Sequence, residues 1–259
     1  TLDILAGTTI NNNIADGASG SGGGIFSTAG AVTIANIQIT QNFANRAGGG
    51  IEVIDGTLDL NGTLIALNDV NGTAGTPNPG NGGGVHISGV TITTINDASV
   101  SANIAFNQGG GLWNQAGSTM NVINTMVDLN KAVSGSGGGG IYNNGGDLNL
   151  TDGTIQSNLA TGVSGSGGGI LTTDGGVVIT GGMIDANAAN RAGGGIEIVD
   201  GTLDMTNTSL IGNKVDIAAG TPNPGNGGGM HVTGIATVNI SASTITNNEA
   251  ASEGGGLWN

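Results

Sequence analysis

Apolar and polar residues alternate along this chain in short bursts. In 56–68 (GTLDLNGTLIALN) Leu58 and Leu60 flank Asp59, and Ile65 then precedes Asn68; 146–158 (GDLNLTDGTIQSN) repeats the arrangement with Leu148, Leu150, Ile155 and Asn158. A period of two puts alternate side chains on opposite faces of an extended strand, and no window sustains the period near 3.6 that a helix needs. Each burst is four to six residues long and is bounded by Gly, Asn, Asp or Ser, which are turn formers. The pattern predicts strands only.

The bursts recur at two scales. NRAGGGIEVIDGTLDL (45–60) returns as NRAGGGIEIVDGTLDM (190–205), and GGGLWN (109–114) returns as 254–259, each offset by 145 residues without a gap. Residues 22–114 are thus equivalent to 167–259. Within the long repeat, Gly triplets followed by an apolar residue begin at 22, 48, 82, 109, 138, 167, 193, 227 and 254. A second anchor, apolar-x-x-Asn-x-small, accompanies them. Its Asn falls at Asn13, Asn42, Asn68, Asn103, Asn130, Asn158, Asn187, Asn213 and Asn248.

A unit of 26–34 residues cannot bury its apolar positions alone. Stacking units in parallel closes a narrow continuous core. The expected fold is all-β: a parallel β-helix of about nine turns, with three short strands per turn on the GGGI, D-L-N-L and I-x-x-N segments. At a strand spacing near 4.8 Å the rod would be about 40 Å long. The nine Asn should stack as a ladder at a bend, their amides pairing along the stack and with backbone groups the bend leaves open. The Gly triplets should mark a crowded corner or a positive φ. Residues 1–259 read as one β-helix segment, a fragment of a longer chain. The stretches between the small residue and the next Gly triplet vary in length and include two TPNP loops, so one edge carries the variation.

Composition narrows what such a rod can do. The formal net charge is −14, from 4 Lys+Arg against 18 Asp+Glu, which argues against a phosphate-backbone partner. There is no Cys, and no run of 18 apolar residues to span a membrane. The cations Arg46, Lys131, Arg191 and Lys214 are spread over several turns, so a lyase or hydrolase site built on clustered Asp with a basic partner is not expected, and no catalytic residue is assigned. No calcium-loop motif occurs. Asp59, Asp204, Asp128 and Asp185 should face outward without stacking, so calcium is expected only as an adventitious surface ion, and no cofactor or metal site is assigned. The outward columns mix Thr with Asp, Asn, Gln, Leu and Met, which is not the regular Thr array of an ice-binding β-helix.

One outward column stands apart. The residue after each GGG-apolar motif reads Phe26, Glu52, His86, Trp113, Tyr142, Leu171, Glu197, His231 and Trp258. Phe26, His86, Trp113, Tyr142, His231 and Trp258 are candidates for contact with a glycan or another protein through an exposed aromatic column. A His–Glu pair, His86 with Glu52, is expected at the surface.

The Gly-Gly-Gly-Ile and Ile-x-x-Asn-x-Ala motifs resemble the GGAI and FxxN repeats of polymorphic outer-membrane proteins and, more broadly, the repeat passengers of bacterial β-helix adhesins. The resemblance covers the whole chain. It departs from the pattern in having Gly at the third position and Ile, Val or Leu in place of Phe. It implies a right-handed solenoid, as does the usual hand of parallel crossovers. It also implies a structural, non-catalytic segment of an adhesin or surface filament, extracellular or on a bacterial cell surface. Its partners would be copies of itself, end to end or lateral, or a cell-surface glycan or protein. A glycan-binding module is the alternative function; an ice-binding β-helix and a polysaccharide lyase or hydrolase are lesser ones.

Overall fold

The computed structural model describes residues 1–71, 80–215 and 225–259. The TPNP loops at 76–79 and 221–224 lie outside the described residues. Among the described residues every regular element is a strand, and the strands stack in parallel into three sheets of 14, 9 and 8 strands. The chain is a parallel β-solenoid of about eight turns. The nine Asn anchors predict about nine, but a column of nine encloses only eight complete intervals.

Register follows the apolar anchors. Ile39 pairs with Ile65, Ile65 with Val100 and Val100 with Val127, one turn to the next. Shifting a strand by one residue would turn this whole set outward, so burial fixes the register. The core is a single column of Ile, Leu, Val and Met, in which Ile51, Leu58, Ile65, Leu112, Met120 and Ile141 are fully buried.

The three strands of a turn are divided differently from the sequence expectation. The GGGI and D-L-N-L segments belong to one sheet. In four turns they run together as one strand, Ile51–Asn61, Val85–Asn96, Ile141–Thr151 and Ile170–Thr180. An irregularity between Ser88 and Thr91 shifts the register without ending the pairing. A bulge bends a strand and breaks its alternation locally, which is why the two halves read as separate elements. The third sheet is made of two-residue strands directly after the ladder Asn, such as Phe43–Ala44 and Leu159–Ala160, too short to show any period. Their second residue points inward and is small: Ala44, Val70, Ala105, Ala132, Ala160, Ala189 and Val215 are buried at this narrow corner.

The corners are fixed by left-handed backbone. The residue before each ladder Asn has φ between 52° and 63°, and the first Gly of each triplet has φ between 57° and 65°. The second and third Gly have a different reason. A Cβ on Gly110 would lie 2.3 Å from the Gly139 carbonyl oxygen, and one on Gly111 would lie 2.8 Å from the Gly140 oxygen and 3.0 Å from the Asn130 amide nitrogen. An Ala at the third position has no room here. Gly111→Ala should therefore destabilise the chain by about 2 kcal/mol through overpacking against backbone that cannot move aside. Gly17→Ala, where nothing lies within 4 Å of a Cβ, should be neutral or slightly stabilising. Urea midpoints of the two variants decide this; equal midpoints would refute the steric account.

Candidate functional site

Two side-chain columns carry the polar chemistry of the interior. The first is the Asn ladder at the bend between the second and third sheets. From Asn13 to Asn213, each Asn donates one Nδ2 hydrogen to the Oδ1 of the Asn one turn on, at 2.8–3.0 Å. From Asn42 onward, the other Nδ2 hydrogen goes to the carbonyl of the apolar anchor one turn back, at 2.8–3.0 Å. Each Oδ1 from Asn42 to Asn248 also accepts the backbone N–H of the preceding ladder Asn, at 2.9–3.1 Å. Every donor and acceptor of an interior amide is thereby used, which is the condition under which a buried polar column is tolerated. Asn68, Asn103, Asn130, Asn158, Asn187 and Asn213 are fully buried. A saturated ladder offers no group to a ligand, so its role is structural.

The second column is the one after the Gly triplets, and here the sequence expectation needs correction. The aromatics do point away from the core, as period two requires, but most are not exposed. His86, Trp113 and Tyr142 are 4–5% exposed, and only Phe26, near one end, is half open. The segments before each triplet stack turn upon turn through the Ala47, Asn81 and Gln108 bridges and wall off one side of the column. His86 stacks on Trp113 at 4.2 Å between ring centroids, and Trp113 faces Tyr142 at 6.1 Å. His231 stacks on Trp258 at 4.4 Å in the second copy. Both faces of Trp113 are occupied, so it cannot serve as a sugar-stacking platform. Of the acids expected to face outward, Asp128 is buried as well.

The His–Glu contact is present but buried, and it includes an arginine. Glu52 has no exposed surface. Its Oε1 accepts from Arg46 Nη2 at 2.8 Å and lies 3.4 Å from His86 Nδ1, an ion-pair distance without good hydrogen-bond alignment. Arg46 Nε also donates to Ser21 Oγ at 2.9 Å. The second copy reproduces the set: Arg191 to Glu197 at 2.7 Å, His231 Nδ1 to Glu197 at 3.3 Å and Arg191 to Ser166 at 2.9 Å. Burial alone would raise the Glu52 carboxyl, but the close approach and charge of His86, followed by the charge of Arg46, outweigh it and hold the group below its usual value of 4.5. Asp69, pushed up by burial, acts in the opposite sense.

The sign of the pH effect follows. A carboxyl held lower in the folded chain than in the unfolded one contributes stability above its unfolded value and loses that contribution as pH falls through the folded value. Wild type should therefore lose more thermal stability than Glu52→Gln as pH falls from about 6 to about 3. Parallel melting curves for the two proteins would disprove the assignment.

Lys214 and Glu249 pair at 2.9 Å on the surface, and Lys131 lies at the equivalent place three units earlier. No group of three His, Asp or Glu placed to hold a metal occurs among the described residues. Sequence reasoning missed the Arg46 and Arg191 pairings. The available signal was that a chain with four cations keeps two of them at equivalent positions, each six residues before a Glu. Compared with protein-family models, curated proteins and solved structures, the chain matches none.

Proposed function

We propose that this chain is a structural, non-catalytic repeat segment of an extracellular bacterial adhesin or surface filament. Its work is mechanical: a stiff rod that holds its variable corner loops at fixed spacing. The observation that supports this most directly is the Asn ladder, continuous from Asn13 to Asn248 across a 145-residue duplication. The stacking positions recur in every unit, while the chain length varies at one corner.

Stiffness follows from the bonding. Bending the rod would stretch main-chain ladders on one side together with a column of amides that has no alternative partners. An acidic, sparsely charged surface suits solubility outside the cell. Self-association, lateral or end to end, is the partner mode this reading favours. Fractionation of the source cells with electron microscopy tests it. Surface-associated rods or fibres are expected. A cytoplasmic pool without fibres, or turnover of any member of a broad polysaccharide panel, would overturn it.

A further inference from the structure

Beside the stacked His86 and Trp113 the solenoid opens into a cleft of about 440 Å³, within the range of small-molecule sites. Its lining is unusual for so acidic a chain. Five amide-bearing residues, Asn81, Asn107, Gln108, Gln115 and Asn144, line it together with Ser88 and Arg46.

Much of their bonding capacity is uncommitted. The side chains of Ser88 and Gln115 bond no described residue. Asn107 donates to Asn81 Oδ1 at 3.1 Å and keeps its own oxygen. Gln108 donates to Ser136 Oγ at 2.7 Å and keeps Oε1. Asn144 accepts from Thr173 at 3.4 Å and keeps its NH2. The Trp113 indole N–H is buried without a partner, whereas in the second copy the Trp258 N–H reaches Glu253, the equivalent of Gln108, at 2.9 Å. By that equivalence, the Trp113 N–H is directed toward the Gln108 side of the cleft.

We infer that this cleft binds one or two neutral sugar units of a glycan through its amides. A side-chain amide offers a donor and an acceptor side by side, which matches adjacent hydroxyls. An anionic ligand is disfavoured because Arg46 is already neutralised by Glu52 at 2.8 Å and the chain carries −14 overall. An apolar ligand would strip water from five amides without replacing their bonds. Ring stacking, the role first expected of the aromatic column, is not available, so the recognition rests on Gln115, Asn144 and Ser88. The inference stands whether or not the rod assembles into filaments.

The test is saturation-transfer NMR and titration calorimetry on the full chain. The probes are maltose, cellobiose, lactose and N,N′-diacetylchitobiose, each up to about 10 mM, a ceiling set by the weak affinity expected of a small polar ligand. A digalacturonate serves as the anionic counterpart. At least one neutral disaccharide should bind, and Gln115→Ala/Asn144→Ala should weaken it at least about tenfold, equivalent to losing one or two good hydrogen bonds. The thermal midpoint should be unchanged; if the double variant fails to fold, Ser88→Ala takes its place with the same expectation. Absence of binding by all four neutral probes, equal binding by the variants, or preference for digalacturonate would each overturn the inference.

Discussion

Asn130→Ala should cost the folded chain about 4 kcal/mol, whereas Asn13→Ala should cost under about 1 kcal/mol, although the two residues hold the same place in the repeat. Asn130 sits in mid-ladder with no exposed surface. Its Oδ1 accepts from the Asn103 backbone N–H and from Asn103 Nδ2, and its Nδ2 serves Asn158 Oδ1 and the Val100 carbonyl. Truncation leaves two donors and a carbonyl buried without those partners, and each such group costs about 1–3 kcal/mol. Asn13 lies in the first turn and is exposed, so water replaces what it loses. Asn130→Asp should be worse than Ala, because an oxygen would then face the Val100 carbonyl and Asn158 Oδ1, and a charge would be buried without a partner. Urea midpoints give the ranking. Hydrogen exchange of the Asn103 amide gives the location, since neighbouring turns feel a solenoid defect first. If Asn130→Ala and Asn13→Ala were to lie within about 1 kcal/mol of each other, the ladder would not be holding the turns together.

The ladder was legible in the sequence because one residue type at one place in every unit admits few physical readings. Isolated Asn on a strand would be a turn or a surface group; nine at a fixed offset from an apolar anchor can saturate one another only by stacking. The short repeat was legible for the same reason. The division into sheets was less so. Gly89 and Gly145, both at positive φ, look like the ends of strands, yet the pairing continues past them. Only contact with the next turn distinguishes a bulge from a break, and that contact is not in the local pattern. The column of His86, Trp113 and Tyr142 failed in a related way. Period two states correctly that these side chains leave the core, but whether water or another part of the chain meets them depends on the path of the segment before each Gly triplet. Arg46 and Asn81 occupy that path, and the result is a second interior with its own buried charge.

That buried charge makes the other large effect. Arg46→Ala should remove about 3 kcal/mol at neutral pH, since breaking a buried ion pair from one side strands the remaining charge. Glu52 is fully enclosed, and after the substitution only the contact with His86 at 3.4 Å would oppose its desolvation. Its carboxyl should then titrate higher than in wild type. A carboxyl raised in the folded state destabilises at neutral pH, and the penalty fades as pH falls through its folded value. The gap between wild type and Arg46→Ala should thus narrow on acidification, whereas packing lost from the arginine stem alone would leave a gap that does not change with pH. Adding Glu52→Gln to Arg46→Ala should restore most of the loss by removing the stranded charge. Arg191→Ala should cost a similar amount at neutral pH, because Arg191, Glu197 and His231 repeat the same contacts. The two sites lie five turns apart, roughly 24 Å at the strand spacing, far beyond the range at which substitutions ordinarily couple. The losses should therefore add to within about 0.5 kcal/mol in the Arg46→Ala/Arg191→Ala chain. Larger coupling would mean that a defect at one buried pair travels through the intervening turns, and the rod would then be a cooperative unit longer than its own repeat.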